Sequence, residues 1–285
     1  YDPSLVDDRQ RLLDLLADAD GLIVRNATKV DVEVLDAAPA LRVVGRLGVG
    51  LDNIDLDLCG DRGIVVAPAT GANAVAVAEY VVTAVMMLVR GVYTASPRIA
   101  GGEWPRTELV GYEIGGRTMG LLGYGDIARR VASRASALGM EVIAHDPLLD
   151  AGDPAWNHTT SVDLDTLFEA SDALSLHVPL TPATTGLVDA GRIAAMKDDA
   201  VIINTSRGGI LDEEAVIAAL RTGGLRGAAL DVFASEPVSE EVGRRFVDVP
   251  NVILTPHVAG VSHESNQRVS ELVATKVAAV LGGDA

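Results

Sequence analysis

Cysteine is nearly absent from this chain. Cys59 stands alone among 285 residues, so no internal disulfide can form and no cysteine-rich metal site can be built. The five histidines lack the close Cys or His neighbours that zinc spacing needs, and no metal is expected. Lysine is scarce too: only Lys29, Lys197 and Lys276 occur, and with 23 basic against 40 acidic residues the net charge is −17. Non-specific binding to nucleic acid requires clustered Lys and Arg that displace counterions, so nucleic acid is not an expected partner. The same acidic, lysine-poor composition suits a salt-rich cytoplasm. No hydrophobic run is both long and uncharged enough for a membrane span. The strongest, AVAVAEYVVTAVMMLV, contains Glu79 and is followed by Arg90. It reads as a buried or interface helix, and a cytoplasmic protein without membrane contact is expected. The sequence opens on Tyr1 rather than methionine, as when numbering begins inside a longer gene product, so a signal peptide cannot be judged.

What the chain does contain is a succession of short apolar runs separated by helical patterns. They include GLIV (21–24), LRVVGRL (41–47), GIVVA (63–67), TMGLLG (118–123), EVIAHD (141–146), ALSLHV (173–178), AVIINT (200–205) and GAALDVF (227–233). Strands apolar throughout, rather than alternating, belong to parallel sheets covered on both faces, which is α/β architecture. A long helix beginning near Asn73 separates the early strands from a later, more regular set, so two domains are expected. No repeat, low-complexity tract or Pro/Ser linker marks a flexible junction.

Gly123 and Gly125 lie between the run TMGLLG and the helical pattern DIARRVASRASALG. The first glycine permits a tight turn, and the second lets a diphosphate approach the backbone at a helix N-terminus, where unpaired N–H groups favour anions. Ala128, at the third position of the pattern, is small enough for close packing of helix on strand. The next run ends in Asp146, about 20 residues on, where a carboxylate can accept hydrogen bonds from a ribose and would repel a 2′-phosphate. NAD is therefore favoured over NADP. By itself Asp146 before Pro147 also fits an ordinary strand-end turn.

Three later stretches fall at strand ends on the same side: NTSRGGILD, LDVFASEP and LTPHVAG. They carry Arg207, Glu236 and His257. An arginine fork can hold a carboxylate through two parallel bonds. An imidazole can exchange a proton near neutral pH, and a carboxylate on its other nitrogen orients it. Each residue also has a plain structural reading, as a solvated loop arginine, a turn glutamate before Pro237 and a partly buried histidine.

Taken together, GVGLDNID, GYGDIA, HVPLTPATTGLVD, INTSRGGILDEEAV, ALDVFASEP and TPHVAG resemble the NAD-dependent D-isomer-specific 2-hydroxyacid dehydrogenases, a family that includes phosphoglycerate dehydrogenase, over essentially the whole chain. The resemblance implies two Rossmann-like domains. One is a discontinuous, flavodoxin-like substrate domain from residues 1–72 and 262–285. The other is a doubly wound NAD-binding domain at 73–261. It makes Arg207, Glu236 and His257 catalytic. It places NAD against Gly123, Tyr124, Gly125, Asp126 and Ile127, against Asp146 and Pro147, and against His177, Val178, Pro179 and Thr184. Asn204, Thr205, Ser206, Asp231 and Gly260 complete that set. The substrate carboxylate would meet the backbone of Gly48, Val49 and Gly50.

Arg25, with its neighbour Asn26, and Arg46 follow apolar strands in stretches similar to those of phosphoglycerate dehydrogenases, whose arginines face the phosphate. They are the candidates for a second anion on the substrate. GGEWPRTELVGYE (101–113) and RLGVGLDNID resemble bacterial sulfolactate dehydrogenases, and Arg106 in the former either reaches the site or decorates its loop. (S)-3-Sulfolactate is favoured. 3-Phosphoglycerate comes next and an acid with an uncharged tail, such as lactate, glycerate or hydroxypyruvate, third. Related proteins use this fold as NAD-sensing corepressors, which keeps a binding role open. The apolar helix 73–89 is expected to help form a homodimer.

Overall fold

The computed structural model describes residues 2–283. The chain divides into two compact units, Tyr1–Asn73 with Val261–Ala285, and Ala74–Gly260.

The first unit is built on three parallel strands in the order β1-β2-β3: β1 Gly21–Val24, β2 Val43–Arg46 and β3 Val65–Pro68. One face is covered by the helices Arg9–Leu16 and Val32–Ala37, through Leu12, Leu16, Val34 and Leu35. The helix His263–Gly282 covers the other, setting Val269, Val273 and Val277 against Val43 and Ala67. That approach is close enough to need a glycine in β2, since a Cβ on Gly45 would stand 2.7 Å from Val273. Arg42 donates to the carbonyls of Val280 and Leu281 at the helix's C-terminal end, where a cation suits the exposed acceptors.

The second unit carries a seven-stranded parallel sheet in the order β10-β9-β8-β7-β4-β5-β6. The strands are β4 Thr118–Leu122, β5 Glu141–His145, β6 Thr160–Ser161, β7 Ala173–Leu176, β8 Val201–Asn204, β9 Gly227–Leu230 and β10 Val252–Leu254. The chain runs outward from β4 to β6, then returns to lay β7 on the other side of β4, so the order reverses between β4 and β7. Side chains of each central strand feed two cores. Val201 and Ile203 pack on one face with the helices Ala74–Arg90 and Asp126–Ala137, while Ile202 faces the other with Leu174, Leu176 and Leu230. This double burial is why the strands read as unbroken apolar runs.

Two findings differ from the sequence reading. The edge strand β6 is two exposed polar residues without an apolar signal, and β10, though apolar, is a run of only three residues, half-buried or exposed. The helix Ala74–Arg90 owes most of its apolar content to its own unit: Val77, Ala78, Val81, Ala84, Val85, Leu88 and Val89 lie in the core, leaving Glu79, Thr83, Met86 and Arg90 exposed. Among the described residues, no single helix is long and apolar enough to cross a membrane.

Candidate active site

The reversal between β4 and β7 opens a crevice at the strand ends, the position where such sheets receive ligands. Gly123 turns out of β4 with φ +87°, and a Cβ there would lie 2.8 Å from the His177 carbonyl at the end of β7. Only glycine meets both demands. Six other helices begin on aspartate: Asp8, Asp31, Asp55, Asp163, Asp189 and Asp212 each accept a backbone N–H at a helix start. The helix Asp126–Ala137 begins on Gly125 with no side-chain cap, and a Cβ on Gly125 would meet nothing within 4 Å. Its first turn therefore carries no capping side chain in competition with an anion. Ala128 is fully buried in the core, the close packing expected of the third position.

Asp146 follows β5 and braces the glycine turn. One carboxylate oxygen accepts Tyr124 N at 2.8 Å and the other accepts Leu148 N at 2.9 Å, so it forms a local turn and also supports the loop. Two acceptors with remaining lone pairs still face outward from a half-buried position. Tyr124 itself is buried, stacked on Trp156 with ring centroids 5.1 Å apart and bound to Thr159 Oγ1 at 2.5 Å, so only its backbone serves the turn. Asp126 pairs with Arg130 at 3.0 Å on the helix surface, and Ile127 is half-buried. Pro147 is exposed beside Asp146.

On the other side of the crevice, His177 Nε2 is buried without a hydrogen-bond partner, and burial pushes the imidazole's pKa down to about 4. Thr205 Oγ1 is likewise buried and unpartnered. Val178 accepts the Ser206 hydroxyl through its carbonyl, and Thr184 folds the following loop by donating to Pro179 O at 2.6 Å. Asn204 is fully buried with its amide spent internally: its Nδ2 donates to Arg207 O at 2.9 Å, and its Oδ1 accepts Ser206 N at 3.0 Å. Its side chain therefore shapes the turn that presents Arg207.

Glu236 and His257 meet. Glu236 Oε2 lies 2.7 Å from His257 Nδ1, while Oε1 accepts Phe233 N at 2.9 Å. His257 has φ +56°, an unusual backbone for this residue, and the loop is held there by Asp231. The Asp231 carbonyl accepts His257 N at 2.8 Å; its carboxylate, 1% exposed, accepts Val258 N and Ala259 N at 2.8 Å each, and Thr255 Oγ1 at 2.6 Å. Tyr80 extends the brace through its hydroxyl, 2.6 Å from Thr255 Oγ1. Sequence reasoning missed Tyr80 and Thr255, whose partners are known only once the chain is folded. Gly260 ends the same loop as the last residue of its unit. Arg207 is half-buried and donates from Nη1 to Ser206 O at 2.7 Å.

In the first unit Arg25 and Asn26 are exposed after β1. Arg46 is not: it is 9% exposed, donates to Leu47 O at 2.7 Å, and lies so near Gly48 that a Cβ there would be 2.4 Å from its Nη1. Arg46 thus supports the Gly48 loop from inside. The backbone N–H groups of Val49 and Gly50 have no partner among the described residues.

The profile of the D-isomer specific 2-hydroxyacid dehydrogenase, NAD binding domain, matches residues 82–259. The chain belongs to this family. This 2-hydroxyacid dehydrogenase is similar to the (S)-sulfolactate dehydrogenase of Chromohalobacter salexigens, with 52% identity over 99% of this chain and 91% of the relative. It is also similar to the hydroxypyruvate reductase of Thermotoga maritima, with 39% identity over 96% of this chain and 89% of the relative. Among solved structures, D-lactate dehydrogenase from Aquifex aeolicus, complexed with NAD and lactic acid, matches with a TM-score of 0.86 at 30% identity, covering 95% of this chain and 86% of that one. The dehydrogenase is NAD-dependent, and its crevice fits that cofactor: an uncapped helix for the diphosphate, Asp146 for a ribose, and buried donors and acceptors on His177 and Thr205 without protein partners.

Proposed function

We propose that this dehydrogenase acts on a D-configured 2-hydroxy acid with a second anionic group, and that its substrate is (S)-3-sulfolactate. The pairing of Glu236 with His257 at 2.7 Å, in the unit that contains Arg207, carries the catalytic part of this reading. Bound NAD supplies the nicotinamide that takes a hydride from C2 of the acid or returns it. In oxidation His257 receives the hydroxyl proton on Nε2, since Nδ1 faces Glu236, and in reduction it gives the proton back. Glu236 stabilises the imidazolium that forms, and Arg207 holds the carboxylate beside the reacting carbon. In the first unit, the amides of Val49 and Gly50 are assigned to the same carboxylate and Arg25, with Asn26, to the second anion.

The similarity to a sulfolactate dehydrogenase and the exposed Arg25 support the substrate assignment. Sulfur on C3 outranks the carboxylate in naming, so an S-labelled sulfolactate has the spatial arrangement of a D-hydroxy acid and suits a D-specific fold. An uncharged tail is the second reading, favoured by the similarity to a hydroxypyruvate reductase. Steady-state kinetics on sulfolactate, 3-phosphoglycerate, glycerate and lactate, for wild type and Arg25→Ala, test both. Arg25→Ala is expected to lower kcat/KM for sulfolactate about tenfold or more, the size of a lost charge-assisted contact, and to leave lactate nearly unchanged. Glycerate used as well as sulfolactate would end the second-anion assignment; NAD binding without turnover of any acid would favour a sensing role. The homodimer in this reading now rests on a narrower exposed strip of helix Ala74–Arg90, and sedimentation measures it.

A further inference from the structure

We propose that Glu213 is a positioning residue for proton transfer, fastening the loop of Glu236 to the segment that carries Arg207. The proposal rests on the functional reading above. Glu213 opens the helix Glu213–Thr222, is 6% exposed, and has no part in the chemistry assigned so far. Its Oε1 accepts Ala234 N at 2.7 Å. The preceding amide, Phe233 N, goes to Glu236 Oε1 at 2.9 Å, and the other Glu236 oxygen meets His257. Two carboxylates therefore bind successive amides of one loop, and only Glu236 touches the imidazole.

That loop is also pressed against the arginine turn. A Cβ on Gly208, next to Arg207, would stand 1.9 Å from the Phe233 carbonyl carbon and 2.2 Å from Ala234 N. With the backbone seated so closely on Gly208, the grip of Glu213 on Ala234 keeps residues 233–236 in register with residues 207–213. Loss of that grip frees the Glu236 carboxylate to drift from His257.

A helix-terminal charge does not account for this arrangement. Asp212 already caps the helix through Ala215 N, and Glu214 places an exposed carboxylate in the same first turn. Arg245 pairs with Glu214 and lies 3.8 Å from the second Glu213 oxygen. A buried carboxylate is costly unless its bonds are used, and here the short bond is to the loop that carries Glu236.

The test uses the full chain with Glu213→Ala, Glu213→Asp and Glu213→Gln. It follows kcat, KM, NADH affinity by fluorescence, the solvent deuterium isotope effect on kcat, and the thermal midpoint. Asp keeps the charge but withdraws it by one methylene; Gln keeps an acceptor at the reach of Oε1. Ala and Asp are expected to lower kcat about tenfold or more, the cost of a small misplacement of a proton-transfer group, and to raise the isotope effect. KM and NADH affinity should change little, and Gln should restore most of kcat. If Ala yields no folded protein, the Asp and Gln pair decides. Unchanged kcat in the Asp variant overturns the proposal, and so does a loss that follows NADH affinity and thermal midpoint and is not restored by Gln. A wild type that turns over no hydroxy acid would instead overturn the functional reading.

Discussion

Glu236 Oε2 approaches His257 Nδ1 to 2.7 Å across a sequence separation of 21 residues, and the carboxylate is itself aimed by Phe233 N. The imidazole is thus oriented from one side, through Nδ1 alone. Replacing His257 with Ala should lower turnover by at least about 100-fold, and Glu236→Gln by less, because the ring remains but loses its charged partner. NADH titration should show cofactor affinity nearly intact in both. A His257→Ala variant with near wild-type turnover would end the assignment.

Gly123 combines φ +87° with a close approach to the His177 carbonyl. An alanine there meets both strain and collision. Gly123→Ala should cost about 1–3 kcal/mol of stability and weaken NADH at least about tenfold. Thermal unfolding and NADH titration measure the two effects separately.

Burial holds the His177 imidazole neutral, with its pKa down at about 4 from an ordinary value of 6.5. In the unfolded chain the ring takes up a proton near pH 6.5, whereas in the folded chain it does so only near pH 4. Folding stability therefore falls as pH drops through that window, by up to about 3 kcal/mol, and this contribution is flat above and below it. Chemical unfolding at pH 7, 5.5 and 4.5 should show the loss, and His177→Gln should flatten it.

Thr255 Oγ1 links Tyr80 to the buried Asp231 carboxylate. Thr255→Val leaves Asp231 short of a donor and the Tyr80 hydroxyl without its partner, at a cost of about 1–3 kcal/mol. Tyr80→Phe removes only the outer link and should cost less. Because Asp231 shapes the His257 loop, kcat should fall with Thr255→Val more than with Tyr80→Phe.

The central strands were legible because burial on both faces leaves no polar alternation, and GLIV coincides with β1. Strand ends were less so: the runs 41–47 and 63–67 begin two residues before β2 and β3, because apolar residues also line the approach to a buried strand. The edge strand β6, two exposed polar residues, lacks the signal, and β10, though apolar, is only three residues long. In the candidate site, the motifs name Arg207, Glu236 and His257 as residue types, and the structure brings Glu236 and His257 together. The 2.7 Å pairing, the inward turn of Arg46, the internal bonds of Asn204 and the grip of Glu213 were not legible in the motifs, since each depends on which loops the sheet brings side by side.

Aspartates seated at helix starts do more than close those helices. A phosphorylated molecule diffusing over this surface is turned away from each of those mouths by a fixed negative charge, and the bare amides after Gly125 give it a place to settle. The contrast sets the amides after Gly125 apart from those six acidic starts, and the same residue type that closes a helix also tells an approaching dinucleotide where not to bind.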